Sequence, residues 1–571
     1  MAERAMSGRR DLMAALRRWL PAVAVGGALL VALLLVLPTM TATHAYFTDW
    51  ANHLWLIAKQ ADIMRQQGGL PGLFMDTPQT GLLYPQFLFY GGTVYAAVGY
   101  VAVITGSAQL AYAASWIGGT AAAYGGLYWA ARMVGLSRPW AQVPAITYVS
   151  SAYFLTNIYA RGAWTEFIAT SFLILAAACA MRHFKAAPVP LLARFGLTLS
   201  VALVVGSHLL TVVWGTTMAM LILAITVPWW RAAAVARPSG AIGVVGAIVV
   251  GAMITAWQYL PAIPWFGSTT IVSQGQQIID QHLASPIEDI GVLISPWRWV
   301  PDGLGTPHFF AQVPILVMIW IGSTALLCRR RPWGPSAGLA VLLIVLMSIA
   351  TSSPIWDALP GPWKAAQFPY RVLTYVVMIT CILLTVGLRS LTVRSGSQHL
   401  WAQRASLAAI VVITAISGAM GLVQSWTAPT FGAVQAITNN VMRVPETFYA
   451  GRDYRVAGNV AAVGQRIAAS ALTPSSAAFP VGPYRVIRRP SNVVWSPGLT
   501  GVSGAVVAGA SSTGIAVVSA RPAPGTQPVL RAGTAWSYRI GGMVSLLALV
   551  LVGLTAGWGL LRWSRPRAHR K

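Results

Sequence analysis

The sequence predicts a mainly α, polytopic membrane protein: 56% of its 571 residues are hydrophobic, only 9% are charged, and long apolar runs recur along the chain. Runs of about 20 residues match the hydrocarbon thickness of a bilayer, and a soluble fold could not bury that much apolar surface. A net charge of +26 would suit a nucleic-acid binder in a soluble chain. Here the arginines punctuate apolar runs and crowd both termini, as an orientation signal does, so no nucleic-acid partner is expected. Cys179, Cys328 and Cys381 lie in or beside apolar spans without metal-ligand or CxxC spacing and read as packing residues.

Residues 1–18 form a basic N-terminus, expected in the cytoplasm, in which Arg9, Arg10, Arg17 and Arg18 precede the first apolar run, Trp19 to Leu37. That run is long for a signal peptide and lacks a small-x-small cleavage site, so it is expected to remain as a span. The transmembrane domain, 19–424, then opens an outer loop at 39–107. Within that loop the helical period of Trp50, Leu54, Ile57, Ala61 and Met64 predicts an amphipathic helix lying in the membrane interface. Two crossings between 86 and 131 would put Arg132 and Arg138 outside. One crossing at 108–131 is therefore expected, with 86–105 shallow or re-entrant.

Spans follow near 140–157 and 163–181, bracketing an outer turn from Asn157 to Glu166, then 195–230, broken at Gly206-Ser207-His208 into a hairpin, and then 241–261. An outer loop at 263–311 carries Asp280, His282, Glu288, Asp289, Asp302 and His308. Spans near 312–328 and 336–352 precede the outer loop 353–370. A further span to 389 and another ending near 424 complete the domain. From 425 to 538 short alternating runs rich in Val, Ser, Gly, Thr and Pro predict a small β-rich outer domain. A last span at 539–561 ends in the basic tail 562–571. The count is about 12 spans with both termini cytoplasmic.

Charge then points to where chemistry resides. Of thirteen acidic residues, Glu3 and Asp11 precede the first span and all others fall in segments assigned outside. A coupled-ion transporter would more typically hold ionisable groups at mid-membrane. If residues from Thr48 onward are helical, Asp49, Asn52 and His53 share one face, where Asp49 suits a general base. The plainer reading of Asp49 is a helix N-cap. Arg161 and Glu166, five apart across a turn, either pair with each other or separately meet a phosphate and a sugar hydroxyl, and an interfacial Arg also often only snorkels. His208 at the hairpin tip either bonds a ligand or satisfies a backbone carbonyl. Arg371, after Phe368-Pro369-Tyr370, stands at a helix start, where free N–H groups and a guanidinium converge into an anion site. The acids and histidines of the loop 263–311 have no recognised metal spacing, so a divalent cation there has no support beyond their presence.

Taken in order, Asp49-Trp50-Ala51-Asn52-His53-Leu54-Trp55, Tyr84-Pro85-Gln86-Phe87-Leu88-Phe89-Tyr90, Arg161-Gly162-Ala163-Trp164-Thr165-Glu166-Phe167, Ser207-His208-Leu209 and Gln367-Phe368-Pro369-Tyr370-Arg371 resemble a family of bacterial membrane proteins labelled 6-pyruvoyl-tetrahydropterin synthase-related. Its architecture is similar to that of the GT-C glycosyltransferases. The pterin label does not describe this chain, which shows no His set comparable to that small zinc enzyme. The resemblance implies a GT-C-like bundle in the bacterial inner membrane. It further implies transfer of a sugar from a polyprenyl-phosphate donor to an envelope glycan or lipid acceptor on the outer face. It assigns catalysis to Asp49, assisted by Glu166, and substrate binding to Asn52, His53, Arg161, His208, Tyr370 and Arg371. No cofactor is implied with certainty, and a divalent cation stays open because this chain has one acid at Asp49 where some GT-C families have a pair. The alternative is a non-catalytic membrane protein that translocates or scaffolds lipid-linked envelope precursors.

Overall fold

The computed structural model describes residues 22–46, 49–73, 75–77, 82–84, 86–185, 189–263, 293, 333–364, 368–393, 400–434, 487–494, 500–502, 505–510, 515–520, 529–531 and 536–564. The basic N-terminus, nearly all of the loop 263–311, the span expected at 312–328 and most of the basic tail lie outside the described residues, as do Phe47 and Thr48. The chain is a mainly α membrane protein. Among the described residues six helices are long and apolar enough to cross a membrane, or eight if each of two bent pairs is one span. The sequence count of about 12 includes the span expected at 312–328, which lies outside the described residues, and several segments that prove short or broken.

Helix α1 (Ala22–Thr41) leads through strand β1 (His44–Tyr46) into α2 (Trp50–Gln66). Thirteen of the 17 residues of α2 are buried, so it is enclosed by the fold rather than laid on the interface as its period suggests. The reason is aromatic packing on several sides: Trp50 stacks on Trp116 at 5.5 Å and meets Tyr46 edge-on at 4.8 Å. Its second neighbour is α3 (Gly92–Thr105), whose 14 residues span about 21 Å, short of a bilayer crossing. Helix α4 (Ala108–Met133) begins where the Ser107 side chain accepts from the Leu110 N–H, and it packs along α7 (Trp164–Lys185). The expected span 140–157 is instead two helices, α5 (Arg138–Val149) and α6 (Ala152–Tyr159). They part at Ser150-Ser151, where the Ser150 hydroxyl donates to the Ile146 carbonyl and Ser151 is extended.

The run 195–230 does break at Gly206-Ser207-His208, between α8 (Leu191–Val205) and α9 (Leu209–Ile225). Helix α10 (Val227–Ala236) then turns 84° from α9, and α11 (Pro238–Ile254) is followed at 67° by the short α12 (Ala256–Ala262). Helix α13 (Trp333–Thr351), a 3-10 turn Pro369–Val372 running into α14 (Leu373–Val393), α15 (Leu400–Trp426) and α16 (Trp536–Ser564) are the remaining long helices among the described residues.

Two contacts divide the bundle by charge. The Arg389 guanidinium donates to the Gly135 carbonyl at 3.1 Å, and Gly240 packs on the His183 carbonyl, which gathers several helix ends together. The described residues of 132–138, 182–185, 189–194, 231–237, 389–393 and 400–404 hold arginines and a lysine and no acid.

The strands expected between 425 and 538 form sheets shared with the first loop. Strand β1 pairs antiparallel with β4 (Thr430–Ala433), Tyr46 facing Thr430. The hairpin β2 (Met75–Thr77) and β3 (Leu82–Tyr84) extends a five-stranded sheet of order β2-β3-β5-β8-β7. In it β3 runs parallel to β5 (Ile487–Val494), with Leu83 beside Val493. Strands β7 (Ala505–Ala510) and β8 (Ile515–Ala520) close that sheet, and β6 (Thr500–Val502) pairs with β9 (Val529–Arg531).

Candidate functional site

The turn between α6 and α7 is the centre of the site. Arg161 is buried there and fully engaged by its own turn. Its Nη1 donates to Asn157 Oδ1 at 2.7 Å, Tyr153 Oη at 3.0 Å and Glu166 Oε1 at 3.3 Å, and its Nη2 donates to Glu166 Oε2 at 3.1 Å. The Tyr370 ring lies 5.3 Å from the guanidinium, a cation–π contact. Of the two sequence readings for Arg161 and Glu166, the structure shows the pair.

Glu166 holds a second cation. Arg371 Nε stands 3.3 Å from Glu166 Oε2, so one buried carboxylate faces two guanidinium groups and the cluster carries a net positive charge. Arg371 Nε and Nη1 are buried without a hydrogen-bond partner among the described residues, and the guanidinium packs 5.0 Å from the Phe368 ring. Nε faces the Glu166 carboxylate, whereas the unmet Nη1 donor of this half-buried cation is an anion site in waiting. Glu166, His208 and Arg371 line one cavity with Thr170, Thr211, Trp214 and Tyr375. Its volume of about 20 Å³ is room for a single water.

His208 is the N-cap of α9: its Nδ1 accepts from the Thr211 N–H at 3.3 Å and lies 2.8 Å from Thr211 Oγ1. A neutral ring that accepts at Nδ1 carries its proton on Nε2. Gly206 allows this tip to press on the start of α3, since a Cβ there would meet Thr93 at 2.4 Å. The Val94 N–H donates to the Gly206 carbonyl there.

Asp49 occupies the N-cap position of α2, yet its side chain makes no capping hydrogen bond, which removes the plainest reading of it. Its N–H donates to the Arg161 carbonyl at 3.0 Å. Asp49 is half-buried and is tied to the cluster through the backbone; it does not line the cavity with Glu166. Asn52 is half-buried three residues on. His53 is buried, with Nδ1 2.5 Å from Tyr95 Oη and Nε2 unpartnered among the described residues.

The close approach of Asp49-Trp50 to the Arg161 turn depends on Gly162. Its φ is +62°, and a Cβ there would stand 2.4 Å from the Trp50 nitrogen. Gly162→Ala combines left-handed strain with a backbone clash. It is expected to destabilise the protein by at least about 2 kcal/mol, read as a lowered midpoint of thermal unfolding in detergent. An unchanged midpoint would show that the two segments are not in register as described.

Tyr90 is a site residue that the sequence reading quoted within a motif without assigning it a role. The Thr165 hydroxyl donates to Tyr90 Oη at 2.8 Å, and the Tyr90 ring meets His208 at 6.2 Å and His53 at 5.9 Å. Asn157 was missed as well, although its spacing of four from Arg161 places it on the same helical face.

Both imidazoles are held neutral. Burial, then the Arg371 guanidinium, pushes His208 from 6.5 down to about 3, and burial followed by His208 does the same to His53. An unfolded chain takes up protons near pH 6.5 that the native chain refuses, so stability falls as pH drops from about 6.5 towards 3. At pH 5 the loss is about 2 kcal/mol per imidazole. Unfolding midpoints measured from pH 8 to 5 should fall, and His208→Gln should flatten that slope; an equal slope in the variant would contradict the assignment.

Among the described residues no three His, Cys, Asp or Glu side chains gather as a metal site. Asp280, His282, Glu288, Asp289 and His308 lie outside the described residues.

No family model and no curated protein matches the chain. Among solved structures it is similar to a variant of the arabinofuranosyltransferase AftD from Mycobacteria, at 16% identity and a TM-score of 0.41 over 72% of this chain. It is also similar to the oligosaccharyltransferase of Archaeoglobus fulgidus, at 12% identity and a TM-score of 0.43 in the apo form and at 13% and 0.42 in complex with zinc and sulfate. The matched regions cover 28%, 57% and 54% of those three chains. Likeness at this level assigns no chemistry to the present chain.

Proposed function

We propose that the chain is a GT-C-type membrane glycosyltransferase that moves a sugar from a polyprenyl-phosphate donor to an acceptor hydroxyl. The observation that supports this best is the Arg371 Nη1 donor, which has no hydrogen-bond partner among the described residues and is held beside Glu166 and Arg161 at the cavity lined by His208. A phosphate at the mouth of that cavity meets a net positive cluster and the Nε2–H of a neutral imidazole. Asp49 takes the proton from the acceptor hydroxyl, whose oxygen attacks the anomeric carbon with inversion. The bond from that carbon to the phosphate oxygen breaks, and the lipid phosphate leaves with the electron pair, its charge met by Arg371 and Arg161. In this reading Glu166 positions the two guanidinium groups rather than moving a proton.

The orientation follows from charge: the arginine-rich helix ends face the cytoplasm, and Asp49 lies at the outer face of the bacterial inner membrane. In this reading an envelope glycan or lipid is the acceptor. The experiment is transfer from sugar-labelled polyprenyl-phosphate donors by the full chain in liposomes. Sugar release that needs Asp49 supports the proposal.

The small cavity favours one other reading, a non-catalytic protein that holds or translocates lipid-linked precursors, because a sugar ring does not fit within it. Polyprenyl-phosphate binding without sugar release, unchanged in Asp49→Asn, would establish that reading instead.

A further inference from the structure

At the arginine-rich end of the bundle, α10 has no buried residue at all. Protein packing alone therefore does not hold it, although it touches α7, α9 and α11. It turns 84° from α9, so it runs across the bundle where a spanning helix would run along it. Trp229 and Trp230 are 38% and 37% exposed, Val235 is 74% exposed, and the Trp230 indole donates to the Leu223 carbonyl at the end of α9. Tryptophans on an in-plane helix favour the boundary between acyl chains and headgroups.

Charge specifies what lies there. Arg231 is on α10, and Arg237 follows it, with Nη1 buried and unpartnered among the described residues. Lys185 ends α7 and Arg194 lies in the first turn of α8. Gly240, three residues after Arg237, packs on the His183 carbonyl, which brings the Arg237 and Lys185 segments together. No acid occurs in 182–194 or 231–237 to neutralise them.

We propose that α10 lies in the membrane–water interface and, with Lys185, Arg194, Arg231 and Arg237 around it, docks the phosphate headgroups of anionic phospholipids. Zwitterionic headgroups satisfy the tryptophans equally well but bring no net negative charge to balance the cations. The site is separate from the Arg371 cavity, and its occupancy does not depend on any transfer activity.

The test is native mass spectrometry of the full chain in neutral detergent with equal phosphatidylglycerol and phosphatidylcholine. The wild type should retain phosphatidylglycerol preferentially, and the preference should shrink between about 0.05 and 1 M salt. Arg231→Gln with Arg237→Gln should lower the preference by roughly 5-fold per charge removed. Should that variant fail to fold, Lys185→Gln with Arg194→Gln reads the same loss. Equal retention of the two lipids by the wild type overturns the proposal. So does a preference that survives these variants but disappears in Arg138→Gln with Arg404→Gln, which would move the lipid site elsewhere on the same end.

Discussion

Asp49→Asn is expected to lower sugar transfer by roughly 10²- to 10⁴-fold while leaving the protein folded and still able to retain polyprenyl phosphate. Fold is preserved because asparagine keeps the size and shape of the aspartate side chain, and the bond to the Arg161 carbonyl is made by the backbone N–H, which the variant retains. Donor retention is preserved because the anion donors belong to Arg371, which lines a cavity that Asp49 does not. The measurement separates the roles: turnover in liposomes against co-purification of lipid phosphate. Wild-type turnover in Asp49→Asn would remove the base from the mechanism.

Glu166→Gln should have the opposite profile, a large loss of stability. It removes the only negative charge bonded to Arg161 among the described residues and leaves two guanidinium groups close together in a buried site. Breaking a buried ion pair on one side costs about 3–5 kcal/mol. Thermal unfolding should show this directly. Arg161→Gln combined with Glu166→Gln should be less destabilised than the sum of the two single variants, because the pair is then removed together. Strict additivity would mean that Glu166 does not hold Arg161 in the folded protein.

The break before α9 and the approximate positions of several helices were legible in the sequence, because Gly206-Ser207-His208 interrupts a long apolar run and arginines mark the ends of others. Periodicity misled at α2. Its apolar positions read as one face against a membrane, whereas Trp55, Leu56 and Lys59 on the remaining faces are buried as well. The interruption at Ser150-Ser151 left only two serines as a signal, too weak against the apolar residues around them. At the site, local spacing signalled the Arg161–Glu166 pair but not the third member. Arg371 reaches Glu166 across 205 residues of chain (371 − 166), and no local pattern reports such a contact. Tyr90 escaped assignment for the same reason: its ring meets His53, Thr165 and His208, which come from three separate segments.

The pairing of β1 with β4 has a consequence for biogenesis. Tyr46 lies three residues before Asp49, and its backbone partner is Thr430, which the ribosome makes after α15. Until that helix has been inserted and residue 430 delivered to the same side of the membrane, the strand beside Asp49 has an open edge, and loop closure over so many residues is slow. The neighbourhood of Asp49 is thus among the last parts of the molecule to be completed. A nascent chain released before residue 430 would carry the motifs of the site without the strand that frames them.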